Sequence, residues 1–214
     1  MHSINDVPQL ADQLIAGYKL HNSPSAYTTA ISGIDASGKG YITRRLQEEL
    51  EKKRYRVANI NIDPWQNPIP VRLKKENPAE NFYCNVFRWN DVFEQLLMPL
   101  KKNRSICLRT KLIRTDADEY YCHTYQYENI DFLLIDAILL FQERFISFYD
   151  YCVWVECSFE TGLQRALSRN VEKLDNARLI HDYEVFYYAA QRLHIEKDDP
   201  RSKADCIFEN DNHR

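Results

Sequence analysis

Apolar positions along the chain fall into two kinds of block. From Val7 to Leu20 the residues Leu10, Leu14, Ile15 and Tyr18 recur on one side, which predicts an amphipathic helix. Tyr27-Thr28-Thr29-Ala30-Ile31-Ser32 then reads as a buried strand, and Ile42, Leu46 and Leu50 line one face of a helix over 42–50. A second strand is expected over Arg56–Ile62, and Pro64, directly after Asp63, favours leaving the sheet there. A helix is expected from Asn85 to Leu100. The runs Asp131-Phe132-Leu133-Leu134-Ile135-Asp136 and Tyr151-Cys152-Val153-Trp154-Val155-Glu156 are apolar without alternation, which suits strands buried on both faces of a parallel sheet. Ala204–Phe208 is the last expected strand, after the break at Pro200.

Strands alternating with helices imply an α/β architecture with a doubly wound, mainly parallel sheet. Ligands bind such a sheet beyond the carboxyl ends of its strands, which is where Gly33, Asp63 and Asp136 fall. Residues 1–214 read as a single domain, with 1–24 as an N-terminal helical extension. The proline-punctuated run from Pro64 to Pro78 is the longest irregular stretch and is expected to form a loop near the active site.

Composition removes several function classes. The 214 residues, 44% of them hydrophobic, can build a sizeable core. The net charge of −3, with basic residues scattered along the chain, gives no reason to bind nucleic acid. Met1–Asp6 lacks the basic flank and apolar core of a signal peptide, and no apolar run approaches membrane-spanning length. A cytoplasmic chain without membrane association is expected. The six cysteines form no C-x-x-C pair, and several sit in apolar runs, so most are expected to be reduced core residues. Cys122-His123 has no partner pair at ligand spacing, so no structural zinc is expected.

The chemistry is concentrated in Gly33-Ile34-Asp35-Ala36-Ser37-Gly38-Lys39-Gly40, followed by Tyr41. This matches the phosphate-binding pattern G-x-x-x-x-G-K-[ST] except at Gly40, where a hydroxyl residue would ligate magnesium. Glycines let successive N–H groups curl around phosphates where a helix begins, and Lys39 adds a positive charge. Strand, glycine loop and helix follow in the required order. The bland alternative is a tight strand-to-helix turn.

Two carboxylates close strands. Asp136 follows four apolar residues, as does the strand-end carboxylate that holds magnesium in P-loop proteins; alternatively it caps a turn. Asp63 could accept the proton of an acceptor hydroxyl or touch magnesium, but Asp-Pro is also an ordinary turn.

Together the loop at 33–40, Ile62-Asp63-Pro64-Trp65, Asn81-Phe82 and Ile135-Asp136-Ala137-Ile138-Leu139-Leu140-Phe141 resemble the uridine kinase and phosphoribulokinase branch of P-loop kinases, over most of residues 27–209. The resemblance implies ATP as phosphate donor, Mg2+ as its metal and a small-molecule hydroxyl as acceptor, first a nucleoside such as uridine. It assigns the acceptor hydroxyl to Asp63, a nearby aromatic position to Trp65 and magnesium support to Asp136. Leu163-Gln164-Arg165-Ala166-Leu167-Ser168-Arg169-Asn170 is similar to the family's lid segment, within about 160–180, so that Arg165 and Arg169 become phosphate clamps. Without the resemblance the same arginines read as a solvated helix face.

The acceptor segment departs from the family. Where uridine kinases carry Tyr-Asp-Phe, then His and Arg, this chain has Arg109-Thr110-Lys111-Leu112-Ile113-Arg114-Thr115-Asp116. The aromatic run Tyr120–Tyr127 could stack on a base or sugar, or pack a strand face. Pantothenate or a sugar derivative is therefore an alternative acceptor, and a non-catalytic nucleotide-binding protein is an alternative of another class.

Overall fold

The computed structural model describes residues 2–114, 118–170 and 174–211. In chain order the sequence folds as β1 (His2–Ile4), α1 (Val7–Leu20), β2 (Tyr27–Gly33), α2 (Lys39–Lys52) and β3 (Val57–Asn61). A 3-10 turn at Asp63–Trp65 leads into α3 (Ile69–Arg72), α4 (Pro78–Asn85), α5 (Trp89–Val92) and α6 (Met98–Asn103). The antiparallel hairpin of β4 (Ile106–Ile113) and β5 (Tyr120–Tyr127) precedes β6 (Phe132–Asp136), α7 (Glu143–Ile146), β7 (Tyr151–Glu156), α8 (Phe159–Arg169), α9 (Asn176–Asp182), α10 (Tyr188–Asp198) and β8 (Cys206–Glu209).

Six strands form one sheet in the order β1-β8-β7-β2-β6-β3, and every neighbouring pair is parallel. Side-chain alternation along these strands feeds two cores, one on each face. Ala30, Leu133, Ile135, Trp154 and Ile207 point into one, against α4–α6 and the hairpin. Ile31, Phe132, Leu134, Val153 and Phe208 point into the other, where Leu10 and Leu14 of α1 meet Ile42, Leu46 and Leu50 of α2. Burial on both faces is why these strands read as unbroken apolar runs. Asp6 caps α1 by accepting from the Gln9 N–H at 3.2 Å, and β1 pairs with β8 at the sheet's outer edge.

Several sequence expectations need correction. The helix expected from Asn85 starts at Trp89: α4 ends at Asn85, and Val86–Arg88 leave the helix to bond with the segment after Asp63. Gln66 bridges Phe87, Asn67 N–H donates to Val86 O at 2.9 Å, and Arg88 N–H donates to Trp65 O at 2.9 Å. The same helical run continues past Leu100 to Asn103 through a π-helical stretch at Phe93–Leu97. Pro99, which has no N–H for the usual bond, accounts for that widened turn. The Pro64–Pro78 region is not wholly irregular, since it holds the 3-10 turn and α3. Only Cys152, Cys157 and Cys206 are buried; Cys84, Cys107 and Cys122 are exposed, so half the cysteines, not most, belong to the core. No helix among the described residues is long and apolar enough to cross a membrane.

Candidate active site

The glycine loop joins the buried end of β2 to the start of α2, at the carboxyl edge of the sheet. Gly38 has φ 95°, the left-handed conformation glycine tolerates. At Gly33 a Cβ would lie 2.6 Å from Val155 O of the neighbouring strand, so only glycine allows this approach. Ala36 also takes a positive φ of 58°, a conformation uncommon for a residue with a side chain. Ser37 N–H closes the loop on Ile34 O at 3.1 Å, and Lys39 Nζ donates to the same carbonyl at 2.8 Å. Lys39 is nearly buried, so its charge is held inside the loop's concavity.

Asp136, at the end of β6, faces the loop from the adjacent strand. It is only 4% exposed, and a Cβ on Gly40 would lie 3.1 Å from its Oδ2. Burial pushes the Asp136 carboxyl up to about 7; Lys39 opposes that rise and Asp63 adds to it. Asp63 sits one strand further out, its N–H donating to Asn61 Oδ1 at 2.6 Å. Burial and then the charge of Asp35 push Asp63 up to about 6, against Lys39, Asn61 and Arg169. Lys39 thus acts electrostatically on both Asp63 and Asp136, as the helix-start lysine and strand-end carboxylates of one crevice should.

The residues present fit a magnesium carried largely by nucleotide phosphates and water, which needs only one or two protein carboxylates. Asp136 and Asp63 could supply them, and the hydroxyl missing at Gly40 leaves room beside Asp136 for a water. Among the described residues no group of three or more His, Cys, Asp or Glu could hold a metal unaided.

The two arginines expected to lie in a lid separate. Arg165 points at the loop: its guanidinium donates to Ser37 O at 3.3 Å, to Asn210 O at 2.8 Å and to Cys157 Sγ at 3.5 Å. Arg169, one turn later on α8, is exposed, and its charge reaches Asp63 and Tyr188. Tyr41 is 58% exposed, with the Arg44 guanidinium 5.8 Å from its ring centre.

Residues the sequence did not single out complete the loop's surroundings. Asn210, just after β8, donates from Nδ2 to Ser37 O at 2.6 Å, and Asp211 accepts from Ser158 N–H and Oγ at 2.9 Å each. Gln191 of α10 is 2% exposed and grips Asp35 twice, accepting from its N–H at 2.9 Å and donating to its Oδ2 at 2.7 Å. Gly162 lets α8 press on the loop: a Cβ there would lie 3.0 Å from Asp35 O and 2.6 Å from the Tyr188 hydroxyl. Position beyond a strand's carboxyl end is a signal that could have flagged Asn210. Gln191 carries none, since its partner is 156 residues away.

Around the segment after Asp63 the aromatic expectations change. Trp65 is fully buried; its Nε1 donates to Tyr125 Oη at 3.0 Å, the two rings stack with centroids 6.2 Å apart, and Arg88 lies 5.1 Å above the indole. Trp65 is therefore a floor under the segment after Asp63 and presents no face to a ligand. Of the run Tyr120–Tyr127, Tyr125 packs this floor while Tyr120 and Tyr121 are exposed. Arg109–Ile113 belong to β4, whereas Thr115 and Asp116 lie outside the described residues. Asp118 ties the hairpin to α3, accepting from Ile69 N–H at 2.9 Å and from the buried Arg72 at 3.2 Å. Two cavities of about 590 and 410 Å3, lined by Met98, Lys101 and Phe148 and by Arg88, Trp89 and Arg144 among others, contain none of the loop residues.

Solved structures share this arrangement of elements. A possible uridine kinase from Bacillus stearothermophilus superposes with a TM-score of 0.74 at 18% identity, covering 94% of this chain and 96% of its own. A proposed fructose transport system kinase from Silicibacter gives 0.75 at 15% identity, covering 95% and 98%. A D-glycerate 3-kinase from Cryptococcus neoformans gives 0.61 at 11% identity, covering 86% and 89%. No protein-family description matches the chain, and no curated protein matches it in sequence. The likeness extends over nearly the whole of each chain, and with the parallel sheet and the glycine loop it establishes that this chain has the fold of the uridine kinase-like P-loop kinases.

Proposed function

We propose that the protein transfers the terminal phosphoryl group of ATP to a hydroxyl of a small molecule, first a nucleoside such as uridine. The observation that carries this reading is the convergence of Lys39, Asp63 and Asp136 at the carboxyl ends of β2, β3 and β6. A loop that only bound nucleotide would need Lys39 and the backbone N–H groups; it would have no use for a second strand-end carboxylate poised beside them.

In this reading the loop N–H groups and Lys39 take the β- and γ-phosphates, and Lys39 gives up its bond to Ile34 O to do so. Magnesium, when bound with ATP, offsets phosphate charge, and Asp136 with Asp63 would hold it. Asp63 accepts the acceptor hydroxyl's proton, and Arg169 offsets charge on the transferring group. Arg165, already bonded to Ser37 O and Asn210 O, fixes the loop beside the lid more than it reaches for phosphate. Residues about 160–180 act as the lid, and the chain works as a single domain whose first 24 residues extend it.

Pantothenate or a sugar derivative is the second acceptor class, favoured by the replacement of the nucleoside-recognition segment with Arg109–Arg114. The test is product analysis after incubation with ATP, magnesium and a panel of nucleosides, sugars and pantothenate. Phosphorylation of a nucleoside supports the first reading. Turnover of a non-nucleoside alone refutes it in favour of the second, and ATP binding with no turnover of any acceptor refutes both.

A further inference from the structure

The cavity of about 410 Å3 is walled by donors that the chain itself leaves open. Trp89 lines it and is only 3% exposed, yet its indole N–H has no hydrogen-bond partner among the described residues. Arg88 lines it too. Its Nη1 donates to Asp91 Oδ2 at 3.0 Å and its Nη2 to Lys111 O at 2.7 Å, while its buried Nε–H has no partner. Arg144 enters from α7 with its Nε on Gln142 Oε1 at 2.9 Å; its Nη groups make no bond and meet no carboxylate among the described residues. The Arg144 guanidinium lies 4.4 Å from the centre of the Phe145 ring, and that ring packs on Trp89 with centroids 4.8 Å apart. A buried N–H without an acceptor is costly, and two of them in the wall of one cavity call for a ligand that accepts.

We propose that this cavity binds the carboxylate of a small molecule that bears a single negative charge, with Arg144 supplying the opposite charge and Trp89 the buried donor. The charge count sets the valence: among the lining residues Arg88 and Arg144 stand against Asp91 alone, which leaves one positive charge over. Asp91 repels a second negative charge, so a dianion is disfavoured. A planar guanidinium matches the two oxygens of a carboxylate, and a volume of this order suits a small ligand. Water would satisfy an N–H but would leave Arg144 unpaired. The occupant sits against the segment that follows Asp63, because Arg88 N–H is bonded to Trp65 O and Asn67, also in the lining, is bonded to Val86 O. The site stands independently of the kinase reading.

Proton–nitrogen correlation spectra test this directly, because the chain has three tryptophans and only one has a free indole N–H. Those of Trp65 and Trp154 already donate, to Tyr125 Oη and Glu156 Oε2, and Trp89→Phe identifies the third resonance by its loss. The full chain is titrated with propionate while ADP is present to occupy the glycine loop. The expected result is a saturable downfield shift of the Trp89 indole proton, with the other two indole protons unmoved. Propan-1-ol, which matches propionate in length without its charge, and inorganic phosphate should each give only a small fraction of that shift at equal concentration. Arg144→Gln should weaken propionate by about tenfold or more, as expected for loss of a charge-assisted bond, and Arg144→Lys should recover part of the loss. Thermal unfolding and ADP binding, both unchanged in the Arg144 variants, separate this from misfolding. A Trp89 resonance that propionate does not move, a response to phosphate or propan-1-ol as large as that to propionate, or undiminished propionate binding by a folded Arg144→Gln overturns the proposal.

Discussion

Asp136 and Asp63 have carboxyls raised to about 7 and about 6, from an ordinary 3.8, and the direction has consequences for both activity and stability. If Asp63 accepts a proton, kcat/KM must rise with pH through the region of 6 to 7 and level off above it; a profile that falls across that interval would remove the carboxylates from the reaction. For stability the sign is the opposite of the usual salt-bridged carboxylate. A raised native pKa means the folded state holds protons that the unfolded state has released, so stability falls as pH climbs from near 4 to 7. Asp136→Asn is accordingly expected to stabilise the fold at pH 8 by on the order of 2 kcal/mol and to change little at pH 3, while reducing activity. Denaturant unfolding at the two pH values checks this. Gly40→Ser would set a hydroxyl beside Asp136 Oδ2, and the concentration of magnesium at half-maximal activity should fall several-fold; no change would mean that magnesium is held elsewhere.

Among elements, the contact of α8 with the loop is the most exposed to test. Gly162→Ala would drive a methyl into the Tyr188 hydroxyl and against Asp35 O, costing about 1–3 kcal/mol. The Tyr188 hydroxyl is buried without a hydrogen-bond partner among the described residues, so Tyr188→Phe should cost little alone and should recover part of the loss in the double variant. Additive effects in denaturant unfolding would show that the two do not touch. Strands β2, β3, β6, β7 and β8 were legible as short apolar runs, and α1 and α2 from their periodic apolar faces, Leu10 and Leu14 or Ile42, Leu46 and Leu50. The helix expected from Asn85 was not, because the backbone bonds of Val86 and Arg88 to residues 65–67 are tertiary and leave no mark on local periodicity. Nor was β1, whose three residues are a strand only because β8 offers an edge. In the site, Lys39 could be read from the glycine motif, and Asp63 and Asp136 from strand ends. Gln191, Gly162 and Asn210 meet the loop from remote positions, and the burial of Trp65 depends on a hairpin about 60 residues away.

At the scale of the molecule, a parallel sheet with helices on both faces gathers the ends of β2, β3 and β6 into one crevice, and α8, α10 and the segment after β8 close round the loop. The fold is shared with kinases whose acceptors differ, so fold leaves the acceptor open while the strand-end carboxylates argue for transfer over binding alone. The most direct measurement follows transfer of the labelled γ-phosphoryl group from ATP into a broad acceptor panel, for the wild type, Lys39→Met and Asp63→Asn. Acceptor-dependent transfer by the wild type, lowered about a hundredfold or more in each folded variant, is the expected result. Transfer that Asp63→Asn leaves unchanged, or tight ATP binding with no transfer to any acceptor, would contradict it.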